Sequence, residues 1–302
     1  MKLGRLAALA ALAALLVSVP VGARAFPDYV GSRALGMGGA GRADARGGEG
    51  PLLNPAGMSL MRLYTIDGGY QYINRGGGHL AHASVVDSTS GFNLAGALFY
   101  TYRSLDVPGG GTVTGHEPGV SLSFPFGDRV LLGFSGKYLH VAGEPAEADG
   151  RSNHSGFTAD VGLIVRAGAM LTVGATVYNL HDLSTVHAPV ALGYGIAFYP
   201  IPDFVILVDG LHDFTSARRP APEPSGGTTT SVGGGAEFTL QRRVVFRAGG
   251  GSDGRTEHGY VTGGIAAISE LGAVDAGFRQ DVSGDLKATV VAVGLRLFIP
   301  QP

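Results

Sequence analysis

The sequence predicts an all-β fold: a transmembrane antiparallel β-barrel of 14 strands behind an N-terminal hatch. Three observations carry it. After residue 61 the chain breaks into about fourteen short segments of alternating apolar and polar residues, divided by Gly, Asp, Ser and Pro turns. An export signal stands in front of them. Charged residues make up only 15% of the chain, low for a surface wetted on all sides but suited to a wall facing lipid. A closed barrel is the sheet architecture that hydrocarbon accepts, because an open edge leaves backbone groups unpaired.

The first element, residues 1–25, reads as a signal peptide. Lys2 and Arg5 supply its positive end, Leu6 to Val19 its apolar core, and Ala23-Arg24-Ala25 a cleavage site that starts the mature chain at Phe26. The apolar run is short of the roughly 20 residues that a membrane helix needs. The chain has no cysteine, which excludes a lipid-anchored cysteine, disulfides, thiolate metal sites and cysteine nucleophiles. A formal charge of -2 and a pI near 6.5 give no case for a nucleic-acid partner.

The second element, residues 26–61, is Gly-rich and has no helical period. Gly31 to Ala40 and Leu53 to Met58 permit tight turns, and Asn54-Pro55 starts one. A fourteen-stranded barrel is wide enough to need water or a plug in its lumen, so this segment is expected to form a hatch. By position, its ligand-binding or gating residues are Leu35, Met37, Leu52, Leu53, Asn54, Pro55 and Met58.

The barrel, residues 62–302, follows as strands at 62–73, 78–88, 91–103, 117–126, 129–141, 153–166, 169–180, 188–199, 203–214, 231–240, 243–251, 257–269, 271–281 and 286–297. At about 3.3 Å per residue and a tilt of about 40°, a strand near eleven residues rises roughly 28 Å, enough for an apolar band of about 25 Å. Alternation is plain where Leu171, Val173, Ala175 and Val177 oppose Thr172, Gly174 and Thr176. It recurs where Phe157, Ala159, Val161, Leu163 and Val165 oppose Gly156, Thr158, Asp160 and Gly162, and where Val274, Ala276 and Phe278 oppose Asp275, Gly277 and Arg279. Every second connection is short, such as Gly127-Asp128 and Gln241-Arg242, while the others include long loops at 104–116, 142–152 and 215–230. Short turns belong in the periplasm and long loops outside.

Tyr64, Tyr70, Tyr72, Tyr100, Tyr102, Tyr138, Tyr178, Tyr194, Tyr199 and Tyr260 lie near strand ends, where interfacial belts form. The face pattern turns Asp67, Lys137, Asp160, Asp209, Glu237, Arg247, Asp275, Arg279 and Arg296 toward the lumen. Glu237 with Arg247, and Asp275 or Arg279 with Arg296, are placed to pair across strands, which offsets their desolvation. The nine histidines are scattered, with no HExxH motif and no tight His/Asp cluster, so no metal or other cofactor is expected. No GxSxG elbow favours hydrolysis, and Gly109-Gly110-Gly111 lacks the GK[ST] of a phosphate loop.

Gly31-Ser32-Arg33-Ala34-Leu35-Gly36-Met37-Gly38-Gly39-Ala40, followed by Asn54-Pro55-Ala56-Gly57, resembles the outer-membrane family of long-chain fatty-acid and hydrocarbon transporters. It also resembles the related barrels associated with type IX secretion. The resemblance implies a fourteen-stranded barrel with an N-terminal hatch. For the transporters it further implies an apolar ligand caught outside and passed through the interior or a lateral opening. An outer-membrane channel for small hydrophobic compounds such as fatty acids, passive and without covalent chemistry, is therefore expected. The alternatives are a barrel that binds proteins in a secretion or envelope assembly through loops 104–116 and 215–230, and a polar pore. Expected partners are outer-membrane lipid, a small hydrophobic ligand and, during biogenesis, the barrel assembly machinery.

Overall fold

The computed structural model describes residues 29–74, 77–90, 94–106, 111–143, 153–185, 187–214, 228–284 and 287–300. The signal-peptide reading of residues 1–25, the mature start at Phe26, and the loop readings over 107–110, 144–152 and 215–227 lie outside the described residues. The strands are β1 Tyr64–Ile73, β2 Gly78–Asp87, β3 Ala95–Asp106, β4 Thr112–Phe126, β5 Val130–Gly143, β6 Asn153–Arg166 and β7 Leu171–Tyr178. They continue as β8 Ala191–Ile201, β9 Phe204–Asp213, β10 Thr229–Leu240, β11 Val244–Asp253, β12 His258–Ile268, β13 Gly272–Asp281 and β14 Thr289–Phe298. Each pairs antiparallel with its neighbours, and β1 closes on β14 from Thr65↔Phe298 to Ile73↔Val290. No sheet edge is left by this closure, and the architecture is that of an outer-membrane β-barrel.

Alternation decides which way each side chain points. In β7, Thr172, Gly174 and Thr176 are buried inward, and the intervening apolar residues form the outer wall. Leu98, Phe157 and Val274 on other strands are more than half exposed, as lipid-facing side chains are once lipid is stripped away. The interior holds residues 29–61 as α1 (Ser32–Gly36), α2 (Gly50–Leu53) and two 3-10 turns, Gly47–Glu49 and Pro55–Leu60. Glycine in the wall makes room for this hatch. Gly233, Gly234 and Gly235 of β10 face Gly251, Gly250 and Gly249 of β11 in register, and the hatch lies against this bare backbone. Gly38, at φ 72°, sits so close that a Cβ there would come 2.5 Å from the Gly234 carbonyl oxygen.

Two features differ from expectation. The loop expected at 104–116 is mostly ladder, because β3 and β4 stay paired out to Asp106↔Thr112. Leu105 and Val113 keep the inward apolar alternation going past the polar residues around His116. Between β7 and β8, where the expected strands leave residues 181–187 as their connection, the chain leaves the wall at Asn179 and folds over the lumen. Asn179 donates from its backbone to Asp160 Oδ1 (2.8 Å) and from its side chain to the Pro189 carbonyl (2.8 Å). Arg103 on β3 donates to the His187 carbonyl at 3.1 Å. Leu183 and Ala188 pack inward on Val113, Leu139 and Val141. Apolar burial is what draws this strap inside.

As a result the β6–β7 ladder is the shortest in the barrel: six pairs, from Val161↔Val177 to Arg166↔Thr172. Six residues rise about 15 Å at that tilt, against an apolar band of about 25 Å. Above it the strap closes the wall, with Leu180 N donating to the Ala159 carbonyl at 2.9 Å and Thr158 Oγ1 to the His181 carbonyl at 3.0 Å.

Candidate functional site

The hatch is fixed by its backbone turns and by wall side chains reaching inward. Asn54 is fully buried; its amide donates to the carbonyls of Arg42 (2.9 Å) and of Leu163 on β6 (3.2 Å), while its Oδ1 accepts from Ala56 N at 3.1 Å. Gly162 leaves the space, since a Cβ there would come 2.0 Å from Asn54 Oδ1. Pro55 is buried beside it. Asp209 on β9 accepts from the backbone of Gly41 and Arg42 (2.8 Å each) and pairs with the Arg42 guanidinium at 3.1 Å.

Three tyrosines expected in the interfacial belt belong here instead. Tyr178 donates to the Leu53 carbonyl, Tyr199 to Asp44 Oδ1 (2.6 Å) and Tyr260 to the Gly38 carbonyl (2.9 Å). Tyr260 is buried and the other two are half-buried, each with its hydroxyl satisfied, which is what a tyrosine withdrawn from water requires.

Arg33 is the hub of the largest ionic network. It pairs with Asp44 (2.8 Å), Glu49 (3.0 Å) and Glu237 (2.9 Å). Glu237 pairs on with its cross-strand neighbour Arg247 (2.6 Å), and Arg247 with Asp275 (2.6 Å). Arg296 takes Asp67 at 2.5 Å rather than Asp275, and Arg279 takes Asp281 (3.0 Å) and Asp253 (3.6 Å) rather than pairing near Arg296. The expected pairing of Asp275 or Arg279 with Arg296 is therefore replaced: Asp67 stands directly opposite Arg296, Arg247 reaches Asp275 across the bare Gly264 of β12, and Arg279, a cation like Arg296, takes carboxylates instead. Lys137 pairs with Asp160 at 2.9 Å, and Arg103 with Glu117 at 3.0 Å. Burial raises the Glu49 carboxyl above the ordinary carboxylate range, against the pull of Arg33 and Arg296.

Two cavities flank the hatch among the described residues, one on each side of it. The upper one, toward the long-loop side, has a volume of about 170 Å³. Val30, Leu35, Leu52, Leu53 and Val290 give it an apolar floor; its walls carry the charged side chains of Arg42, Glu117, Lys137, Asp253 and Arg279, and the strap residues Asn179, His187 and Pro189 roof it. The lower one, of about 420 Å³, is walled by Arg33, Glu49, Asp67, Glu237, Arg247, Asp275 and Arg296. Tyr29 and Leu52 line both, so they are the partition. Of the hatch residues singled out from sequence, Leu35, Leu52 and Leu53 come together at the upper cavity. Asn54 and Pro55 lie at the seat on β5 and β6, and Met37 and Met58 are buried against the wall away from either cavity. Asp160 and Asp209 line neither cavity. Sequence reasoning missed Arg33, Arg42, Asp44 and Glu49, whose partners lie on distant strands, and Arg103 and Glu117, which fall at the edges of an expected loop.

No protein-family model matches the chain, and no curated protein matches it. Solved structures do share its fold. CymD, a monoaromatic hydrocarbon channel, superposes with a TM-score of 0.73 at 16% identity, over 90% of this chain and 98% of that one. The Ralstonia pickettii toluene transporter TbuX gives 0.69 at 12% identity, over 89% and 98%. A Pseudomonas aeruginosa FadL homologue gives 0.66 at 11%, over 91% and 99%. At such identities the likeness speaks for the fold.

Proposed function

We infer that the chain is a passive channel for small hydrophobic compounds of single-ring size, with no covalent chemistry. The ligand enters the upper cavity from outside and leaves sideways into the membrane between β6 and β7. The observation that carries this is the short β6–β7 ladder beside the apolar-floored cavity: Tyr178, Asn179 and Pro189, where the wall gives way to the strap, also line that cavity. Both cavities carry ion pairs, and a route on through the lower one would take a hydrocarbon past a second set of them, whereas a sideways exit beside the apolar floor keeps its surface out of water. The size argument favours a ring over a long acyl chain, since a cavity of about 150 Å³ accepts benzene. The shared fold with a monoaromatic hydrocarbon channel and a toluene transporter supports the same ligand class.

The test is a cysteine pair, Ala159→Cys with Leu180→Cys, in a chain that has no other cysteine. Uptake of labelled toluene into proteoliposomes should fall several-fold on oxidation and return on reduction. Undiminished uptake by the cross-linked protein would overturn the sideways route. Failure of the unmodified protein to speed uptake of any single-ring hydrocarbon would overturn the channel itself.

A further inference from the structure

Four of the nine histidines, His79 on β2, His116 on β4, His140 on β5 and His212 on β9, lie on the outward face of the wall. All four sit toward the ends of their strands on the side of the barrel where the long loops lie. Ladder registers with a tilt of about 40° and about 3.3 Å per residue place the four imidazoles within roughly 5 Å of one height on the barrel. The outward tyrosines Tyr70, Tyr72, Tyr100, Tyr102 and Tyr194 lie just below that height, and the aliphatic wall below them. The order apolar band, tyrosine belt, histidine ring is the order of polarity met on leaving hydrocarbon for headgroups.

The imidazoles are held in one manner. The Nδ1 of each is engaged by a hydroxyl from the adjacent strand: Tyr70 for His79, Tyr100 for His116 (2.6 Å), Ser155 for His140 (2.7 Å) and Thr230 for His212 (2.8 Å). When the hydroxyl donates to Nδ1, the ring proton sits on Nε2. Ring packing fixes the orientation further: His79 against Tyr70 and Tyr72, His116 against Tyr102 and His140, His212 edge-on to Phe214. Nε2 of all four has no hydrogen-bond partner among the described residues. No lysine or arginine of the described strands faces outward, so these imidazoles are the basic groups on the outer wall.

We propose that this ring binds the phosphates of outer-leaflet lipid, each histidine donating Nε2–H to a headgroup oxygen. The occupant follows from the height of the ring, from the oriented donors and from an anion's need for them. This surface is independent of the hydrocarbon route inside the barrel. The experiment places the refolded protein in nanodiscs of a neutral, phosphate-free galactolipid doped with either a bis-phosphorylated diglucosamine glycolipid or its dephosphorylated form. Retained glycolipid is counted by native mass spectrometry. The wild type should retain the phosphorylated form several-fold more. A variant with His→Phe at positions 79, 116, 140 and 212, which keeps the aromatic bulk, should lose the preference. Equal retention of both glycolipids, or a preference unchanged in the variant, would overturn the proposal. Should the variant not refold, ¹⁵N imidazole spectra of the wild type decide: Nε2 resonances must move with the phosphorylated glycolipid and stay still with the other.

Discussion

Arg33 Nε donates to Glu237 Oε2 at 2.9 Å, joining the first helix of the hatch to a strand 204 residues further along. Asp44 and Glu49 hold the rest of the guanidinium. The cost of taking these charges from water is met only while the set is complete.

Arg33→Ala leaves those carboxylates facing one another without their shared cation. Loss of one partner from a buried ionic set costs about 3–5 kcal/mol. The cost should fall on docking of the hatch, since the closed ladders of the wall do not depend on Arg33. Hydrogen exchange of amides in residues 32–58 should speed accordingly, with strand amides unchanged. Unaltered protection in the hatch would show that Arg33 is not what holds it.

Glu49 makes the same docking depend on pH. Its folded carboxyl is shifted up by burial, so the protonated form is favoured in the folded state. The contribution to stability is full below the ordinary carboxylate value and is lost as pH rises through the raised one. Hatch protection should therefore weaken across that interval in the wild type. Glu49→Gln keeps an acceptor for Arg33 and removes the titration, so the difference between the two proteins should vanish at low pH and grow with pH. A parallel pH response in both would put the effect elsewhere.

The seat of Asn54 gives a steric prediction. Gly162→Val places side-chain atoms where Asn54 Oδ1 lies, and Val is otherwise welcome in a strand. The barrel should form, with the hatch displaced and single-channel conductance in a planar bilayer well above that of the wild type. Asn54→Ala removes the bonds to Arg42, Leu163 and Ala56 without a clash, and costs about 1–2 kcal/mol. It should raise the frequency of open events more than their size. A closed Gly162→Val channel would mean that the hatch can be accommodated elsewhere.

Much of the wall was legible because lipid outside and packed hatch inside force a strict period of two. Parity already carried more than strand-end position did. Tyr178 continues the inward series Thr172, Gly174, Thr176, and Tyr260 shares a face with Thr262, so both were readable as hatch contacts. Tyr199 likewise continues the inward series Gly193, Gly195, Ala197, just before the register shift between Phe198 and Ile201. The strap, by contrast, was hidden. A segment with His181, Asp182 and Ser184 has the composition of an ordinary loop, and only Leu183 and Ala188 hint that it turns inward. The hub at Arg33 depends on Glu237, and no local pattern reports a partner so far along the chain.

Leu52 lines both cavities, which makes it the position that tells a sideways exit from a route through the lumen. Leu52→Ala thins the partition and should join the two spaces. If ligand leaves between β6 and β7, toluene uptake should change little, because the joined lower space is walled by ion pairs that an apolar molecule does not favour. A several-fold rise would instead mark the lumen as the path. Leu52→Trp acts oppositely, filling part of a cavity of about 170 Å³. Either route begins in that cavity, so uptake should fall several-fold whichever exit is used. The pair of variants, measured in the same proteoliposomes, thus separates where the ligand is held from where it goes.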